Sequence, residues 1–254
     1  MKRLSLVLSL ALLGACDDPP KKAQPAASAT ASPIASAAPA ASAAAPKPKK
    51  ELICPTGPEL ETKDLALAAE IRRKLAKKPD EPVKMSEVAT IRSINLTQGP
   101  VHELDACVFQ KMTSLKDLFL GPGDLEDLSP IANLTRMEAL RASINHVSDL
   151  KPLEKLVLLD RLDIGRTHVR DLSPVANLVN LTELQIDDTA VSDLTPLAKC
   201  KKLERLSIKR TTVTDVSPLR DLQKLKYLYT EGTALSDLSP LQPLMAKGLK
   251  VVSR

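Results

Sequence analysis

The chain has no tryptophan, two tyrosines, two phenylalanines and three histidines in 254 residues. Signals of catalysis are correspondingly thin. His102, His146 and His168 are not accompanied by a Gly-x-Ser-x-Gly, a Cys-x-x-Cys or a phosphate-cradling loop. Glycine is also scarce, at 8 residues, so the glycine-rich nonapeptides that hold calcium in some β-helical repeats are missing. No stretch is apolar enough for long enough to cross a bilayer; residues 4–13 are mostly apolar but fall well short of the roughly 20 needed. The chain is expected to be a non-enzyme, with no catalytic, cofactor-binding or metal-binding residues and no cofactor.

What the chain does have is a period. An Asp, an aliphatic residue, a short polar or basic residue, Pro and another aliphatic recur every 22 residues. The Asp stands at Asp127, Asp149, Asp171, Asp193, Asp215 and Asp237, and the Pro at Pro130, Pro152, Pro174, Pro196, Pro218 and Pro240. A fixed period of this length is the mark of a solenoid, in which each repeat stacks only on its neighbours. Within each repeat, Leu184 and Ile186 alternate with Glu183, Gln185 and Asp187, the period-2 pattern of a short half-buried strand. The same frame gives Leu118/Leu120, Leu140/Ala142, Leu162/Ile164, Leu206/Ile208 and Leu228/Thr230, with an irregular first copy at residues 91–96. The expected fold class is an α/β solenoid with one parallel sheet of about seven short strands, roughly 4.8 Å apart.

The return half of each repeat explains the Asp and the Pro. Proline suits the first position of a short helical turn, where no N–H donor is needed. An Asp three residues earlier can accept from the free N–H groups there. A second column, Asn145, Thr167, Thr189, Thr211 and Thr233, follows each strand and is expected to satisfy backbone groups where the chain leaves the sheet. A third runs Leu134, Leu156, Leu178, Cys200, Leu222 and Leu244, so Cys200 fills a leucine slot and reads as a buried, inert thiol.

These repeats resemble the bacterial leucine-rich repeat of the internalin-like class, over roughly residues 60–244. The resemblance implies a small helical cap over the open end of the first repeat, assigned to residues 51–90, with the repeats at 91–247 and a short edge at 248–254. Residues 64–75 are helical by composition and apolar spacing, and a second short helix is expected from Ser86. The resemblance also implies a protein-protein interaction module working through the outward face of the strands. Host adhesion, found among internalins, is not carried over, because here the repeats run to the last residues and the anchor is at the other end.

Residues 1–15 read as a signal peptide: a basic start, an apolar stretch and small residues before a cysteine. Leu13-Gly14-Ala15-Cys16 resembles the lipobox of bacterial lipoproteins, which implies that Cys16 carries lipid and anchors the chain in the cell envelope. Residues 16–50 are Ala, Pro, Ser and Lys with little able to form a core, and read as a disordered tether. The formal net charge of +5 belongs to this end. Removing the 7 basic and 2 acidic residues of positions 1–50 from totals of 36 and 31 leaves 29 of each. The repeat domain is therefore neutral, and nucleic acid is not expected as a partner.

Cys54 and Cys107 lie just before the cap helix and in the return of the first repeat. In an exported chain they form either a disulfide pinning cap to solenoid, which is expected, or two free thiols. The outward strand positions carry Asp117, Phe119, Arg141, Arg161, Asp163, Glu183, Gln185, Asp187, Arg205, Lys209, Tyr227, Tyr229 and Glu231. Three of the four aromatic residues are among them. They read as a partner-binding surface, centred on Phe119, Arg141, Arg161, Asp163, Glu183, Gln185, Arg205, Tyr227 and Tyr229, or as an ordinary solvated mixed-charge face. Cross-strand ion pairs are expected for Arg161 with Glu183 and Glu183 with Arg205. His146 and His168 hold equivalent slots in adjacent repeats, without a recurring third ligand, and read as solvated turn residues. The expected molecule is a monomeric, lipid-anchored binding module for a protein partner. A peptidoglycan-binding tether is the alternative, against which the shortage of stacking aromatics counts. A hydrolase is disfavoured by a flat sheet lacking a nucleophile–base pair.

Overall fold

The computed structural model describes residues 54–253. The expected signal peptide, Cys16 and the expected tether lie outside them.

Eight parallel strands form one sheet in simple sequence order. They are β1 (Ser93–Leu96), β2 (Asp117–Leu120), β3 (Ala139–Arg141), β4 (Arg161–Asp163), β5 (Glu183–Gln185), β6 (Arg205–Ser207), β7 (Tyr227–Tyr229) and β8 (Lys250–Val252). The C-terminal edge supplies the eighth, pairing in register with β7, Leu228 facing Val251. From β2 to β7 the 22-residue step is kept without slip, so Leu118, Leu140, Leu162, Leu184, Leu206 and Leu228 stand side by side. Each is at most 2% exposed. Truncating one to alanine leaves a cavity that the rigid stack cannot collapse around, a loss of about 2–5 kcal/mol.

Between strands the chain returns through short 3-10 turns such as Ser129–Ile131 and Thr195–Lys199. Proline is the second residue of each turn rather than the first. The first residue keeps its N–H and donates it to the repeat's Asp two positions earlier. The six bonds, from Ser129, Lys151, Ser173, Thr195, Ser217 and Ser239, measure 2.7–2.9 Å. One orphan donor of the turn is thus capped, and the next is removed by proline. Cys200, fully buried, fills its leucine slot, and burial pushes its thiol up to about 11.

The bend that leaves the sheet is built by another column. Ile144, Arg166, Asp188, Arg210 and Gly232 all have φ between 51° and 68°. Only one of the five is glycine, and the left-handed region costs other residues about 1–2 kcal/mol each. The residue that follows holds the bend. Thr167, Thr189 and Thr211 donate their hydroxyls to the carbonyls of Ile164, Ile186 and Ile208 at 2.7 Å. Asn145 donates to the carbonyls of Gly121 and Ser143 and accepts from the Leu125 N–H.

At the N-terminal end, α1 (Leu65–Lys74) starts at Asp64, whose side chain accepts from the Leu67 N–H at 2.9 Å. It buries Leu67 and Ile71 against the first repeat. The second helix, α2 (Met85–Val88), begins one residue before the expected Ser86, because Glu87 accepts the Lys84 N–H at 2.8 Å and so closes the turn from Lys84. The helix α3 (Ala106–Phe109) replaces a 3-10 turn in the first return. Cys107 on α3 forms a disulfide with Cys54, their Cα atoms 5.4 Å apart. The C-terminal end has α4 (Gln242–Met245), with Leu244 buried, and then β8.

Candidate functional site

The strand face consists of two columns. Asp117, Ala139, Arg161, Glu183, Arg205, Tyr227 and Lys250 are neighbours in one; Phe119, Arg141, Asp163, Gln185, Ser207, Tyr229 and Val252 in the other. All nine residues singled out for partner binding stand in these columns, because alternation along a strand sends them to the face opposite the leucine ladder.

The N-terminal half of the face is internally satisfied. Arg141 donates to Ser143 at 3.2 Å, and Ser143 donates to Asp163 at 3.0 Å. Arg161 does not pair with Glu183, its neighbour in register. The small side chain of Ala139 leaves a gap in the column, and Arg161 reaches across it to Asp117, 3.8 Å away. Glu183 takes its hydrogen bond from Gln185 at 2.9 Å and forms no ion pair with Arg205. Both expected cross-strand pairs are therefore replaced by other partners.

The C-terminal half is different. Tyr227 and Tyr229 lie nearly parallel, ring centroids 6.3 Å apart and planes 13° from each other. Arg205 from β6 stands 5.5 Å from the Tyr227 ring centre, and Lys250 from β8 stands 5.8 Å from it. Lys209 stands 5.5 Å from the centre of Tyr229. Neighbouring strands thus hold a cation beside the aromatic pair on each side, an arrangement that stiffens long side chains at little cost. Lys209 also meets Glu231 at 3.4 Å, whereas Arg205 and Lys250 have no ion pair among the described residues. Beside the pair lies a shallow hollow of about 240 Å³ lined by Glu183, Gln185, Asp187, Arg205, Ser207 and Tyr229. A second, of about 300 Å³, lies between Phe119 and Gln185. Both are at or below the small end of small-molecule pockets; in the first, the Ser207 hydroxyl donates to the Asp187 carboxylate at 2.5 Å.

Two further columns border the face. Asp188 bridges Arg166 at 3.5 Å and Arg210 at 2.5 Å, and these guanidinium partners hold its carboxyl below the usual range. His146 and His168 stack with ring centres 4.9 Å apart. Asp124 lies beside them, 3.8 Å from His146 and 3.2 Å from His102. The sequence reading missed this carboxylate, although the 22-residue step from His146 back to Asp124 and His102 was there to find it.

No family model matches the chain, and no curated protein does. Solved structures do match. An internalin (inlF) from Listeria monocytogenes is 28% identical with a TM-score of 0.67, over 72% of this chain and 54% of that one. The chain thus spans about half of that protein. An internalin C2 from the same species is 25% identical with a TM-score of 0.62, over 75% of this chain and 93% of that one. A leucine-rich repeat protein of Leptospira interrogans is 21% identical with a TM-score of 0.61, over 66% of this chain and 44% of that one, a likeness of fold alone. The fold is an internalin-like leucine-rich repeat solenoid.

Proposed function

We propose that the chain is a protein-binding module that engages its partner through the C-terminal half of the strand face, and that lipid on Cys16 holds it at a membrane of the cell envelope. The observation that carries the first part is the parallel Tyr227–Tyr229 pair with Arg205 and Lys250 beside it. Aromatic and Arg side chains are the usual anchors of interfaces. Here the tyrosines stand on a strand paired on both sides, which limits the entropy lost on docking. The likeness to internalins supports a binding module over an enzyme.

The same geometry favours protein over glycan. A sugar ring binds by lying flat on an aromatic face, and cations already crowd Tyr227 from both neighbouring strands. Arg205 and Lys250, which form no ion pair among the described residues, suit the carboxylates and carbonyls of a polypeptide.

Crosslinking in cells followed by capture of the full chain, beside a Tyr227→Ala/Tyr229→Ala variant, tests this reading. One protein captured by the native chain and lost from the variant, at equal thermal stability, supports it. Equal capture by both, or recovery of wall glycan alone, overturns it.

A further inference from the structure

All three histidines of the chain fall in a single column. His102, Asp124, His146 and His168 follow one another at 22-residue steps, each just after the bend by which its repeat leaves the sheet. The column continues as Ala190, Thr212 and Ala234, so the solenoid itself requires no titratable side chain there. These side chains face solvent: His102 is 63% exposed, Asp124 66% and His146 48%. One carboxylate oxygen of Asp124 is 3.2 Å from His102 Nδ1 and the other 3.8 Å from His146 Nδ1. The rings of His146 and His168 are 4.9 Å apart and within 9° of parallel.

We propose that this column binds one borderline divalent transition-metal ion, Cu²⁺ in preference to Zn²⁺, through Asp124, His146 and His168, with His102 orienting Asp124. Two imidazoles and a carboxylate are a donor set for such ions, and Cu²⁺ stands above Zn²⁺ for mixed nitrogen and oxygen ligands. Ca²⁺ and Mg²⁺ are excluded as preferred ions, since they take six or more oxygens. Among the described residues no three His, Cys, Asp or Glu side chains surround a common point as they stand. The adjustment needed lies in the side chains: Asp124 and His168 flank His146 from opposite sides, two repeats apart, so both must lean toward it. Two metal–nitrogen bonds of about 2.0–2.1 Å at a tetrahedral angle put the nitrogens about 3.3 Å apart. Tilting two exposed, stacked rings toward each other by side-chain torsion achieves this. The backbone need not move, and it is already held: the His168 N–H donates to the Val147 carbonyl at 2.9 Å, and Gly123 N–H to the Ile144 carbonyl at 3.0 Å. These bonds lock the repeats of Asp124, His146 and His168 to one another. The site does not depend on the strand face or on any partner bound there.

The test uses the full chain without a histidine tag, stripped with a chelator, and titrated with Cu²⁺ and separately with Zn²⁺ by calorimetry. Electron paramagnetic resonance of the Cu²⁺ form counts coordinated nitrogens. One ion per chain is expected, with two imidazole nitrogens and tighter binding of Cu²⁺. His146→Ala and His168→Ala should each weaken binding by more than the roughly 10- to 100-fold typical of losing an orienting partner, and His102→Ala by about that amount. The melting temperature of the metal-free variants should match that of the native chain, since all are surface positions. Absence of saturable binding, or binding that survives His146→Ala combined with His168→Ala, overturns the proposal. So does a silent His168→Ala beside a damaging His102→Ala, which would remove His168 from the site.

Discussion

The carboxylate of Glu70, on the cap helix, accepts the backbone N–H of Asn95 on the first strand at 3.1 Å. That N–H faces away from the sheet, where no further strand among the described residues receives it. Glu70 is only 8% exposed and is also gripped by Arg73 at 2.7 and 2.8 Å. The cap therefore closes the sheet edge with a charged acceptor as well as an apolar lid. Glu70→Ala removes a charged acceptor from the Asn95 N–H and the partner of Arg73, and should lower the free energy of unfolding by about 1–3 kcal/mol in urea titrations, with Glu70→Gln closer to native.

The same contact predicts a pH response. Burial raises the Glu70 pKa, but the Arg73 hydrogen bond, the Asn95 N–H and the charges of Arg73 and Lys74 outweigh it and hold the group below its ordinary 4.5. Asp171, Asp215 and Asp237 are likewise held below 3.8 by the side chains and N–H groups of Ser173, Ser217 and Ser239. A depressed carboxylate contributes stability in full above its unfolded value and loses it as pH falls through the lower folded value. Melting temperature should therefore be flat above about pH 5 and fall progressively below pH 4.5. In Glu70→Gln the upper part of that fall should shrink.

Ile144 has φ of 59° and is 41% exposed, a branched side chain in a conformation that suits glycine or asparagine. Ile144→Asn should raise stability by about 1 kcal/mol, measured by chemical denaturation. Gly232→Ala should do the reverse. Its φ is 68°, and a Cβ there would come within 2.7 Å of Arg210 Cγ. An unchanged midpoint in both variants would show that the bend is set without regard to residue type.

Replacing Cys54 and Cys107 with serine opens a loop of 53 residues. The chain-entropy estimate for that closure is about 4 kcal/mol. The loss should be local first. Hydrogen exchange should quicken in Leu65–Lys74 and Ala106–Phe109, while the strands from β3 onward keep their protection.

The proposed membrane attachment would rest on one atom, the sulfur of Cys16. Cys16→Ser is expected to move the protein from the membrane fraction to the soluble fraction of disrupted cells without altering its melting curve. Retention of the variant in the membrane would reject lipid at this position.

The period was legible because its members are chemically alike. Asp, Pro and Leu recur in each repeat, and the leucine ladder, the capped turns and the outward face all follow from that recurrence. The left-handed column was not legible, since Ile144, Arg166, Asp188, Arg210 and Gly232 have nothing in common but position. Their conformation is imposed by the Asn145 and Thr hydrogen bonds that follow. Ion-pair partners were illegible for another reason. Register names neighbours, but the choice between them turned on the gap at Ala139, through which Arg161 reaches Asp117. Asp124 was not legible as a neighbour of the histidines because it interrupts the repeated letter of its column, whereas a site needs complementary ones.

The unbroken 22-residue step also makes the molecule modular in its arithmetic. A duplication of one whole repeat adds a rung to every column at once, and a deletion removes one from every column. The core tolerates either, because each new leucine finds the same neighbours. Side chains that act in pairs do not: a repeat inserted between His146 and His168 would double their separation, and one inserted after Tyr229 would carry Lys250 away from Tyr227. Change in repeat number is thus nearly silent for folding and abrupt for recognition, so that binding can be gained or lost in whole-repeat jumps while the scaffold is left intact.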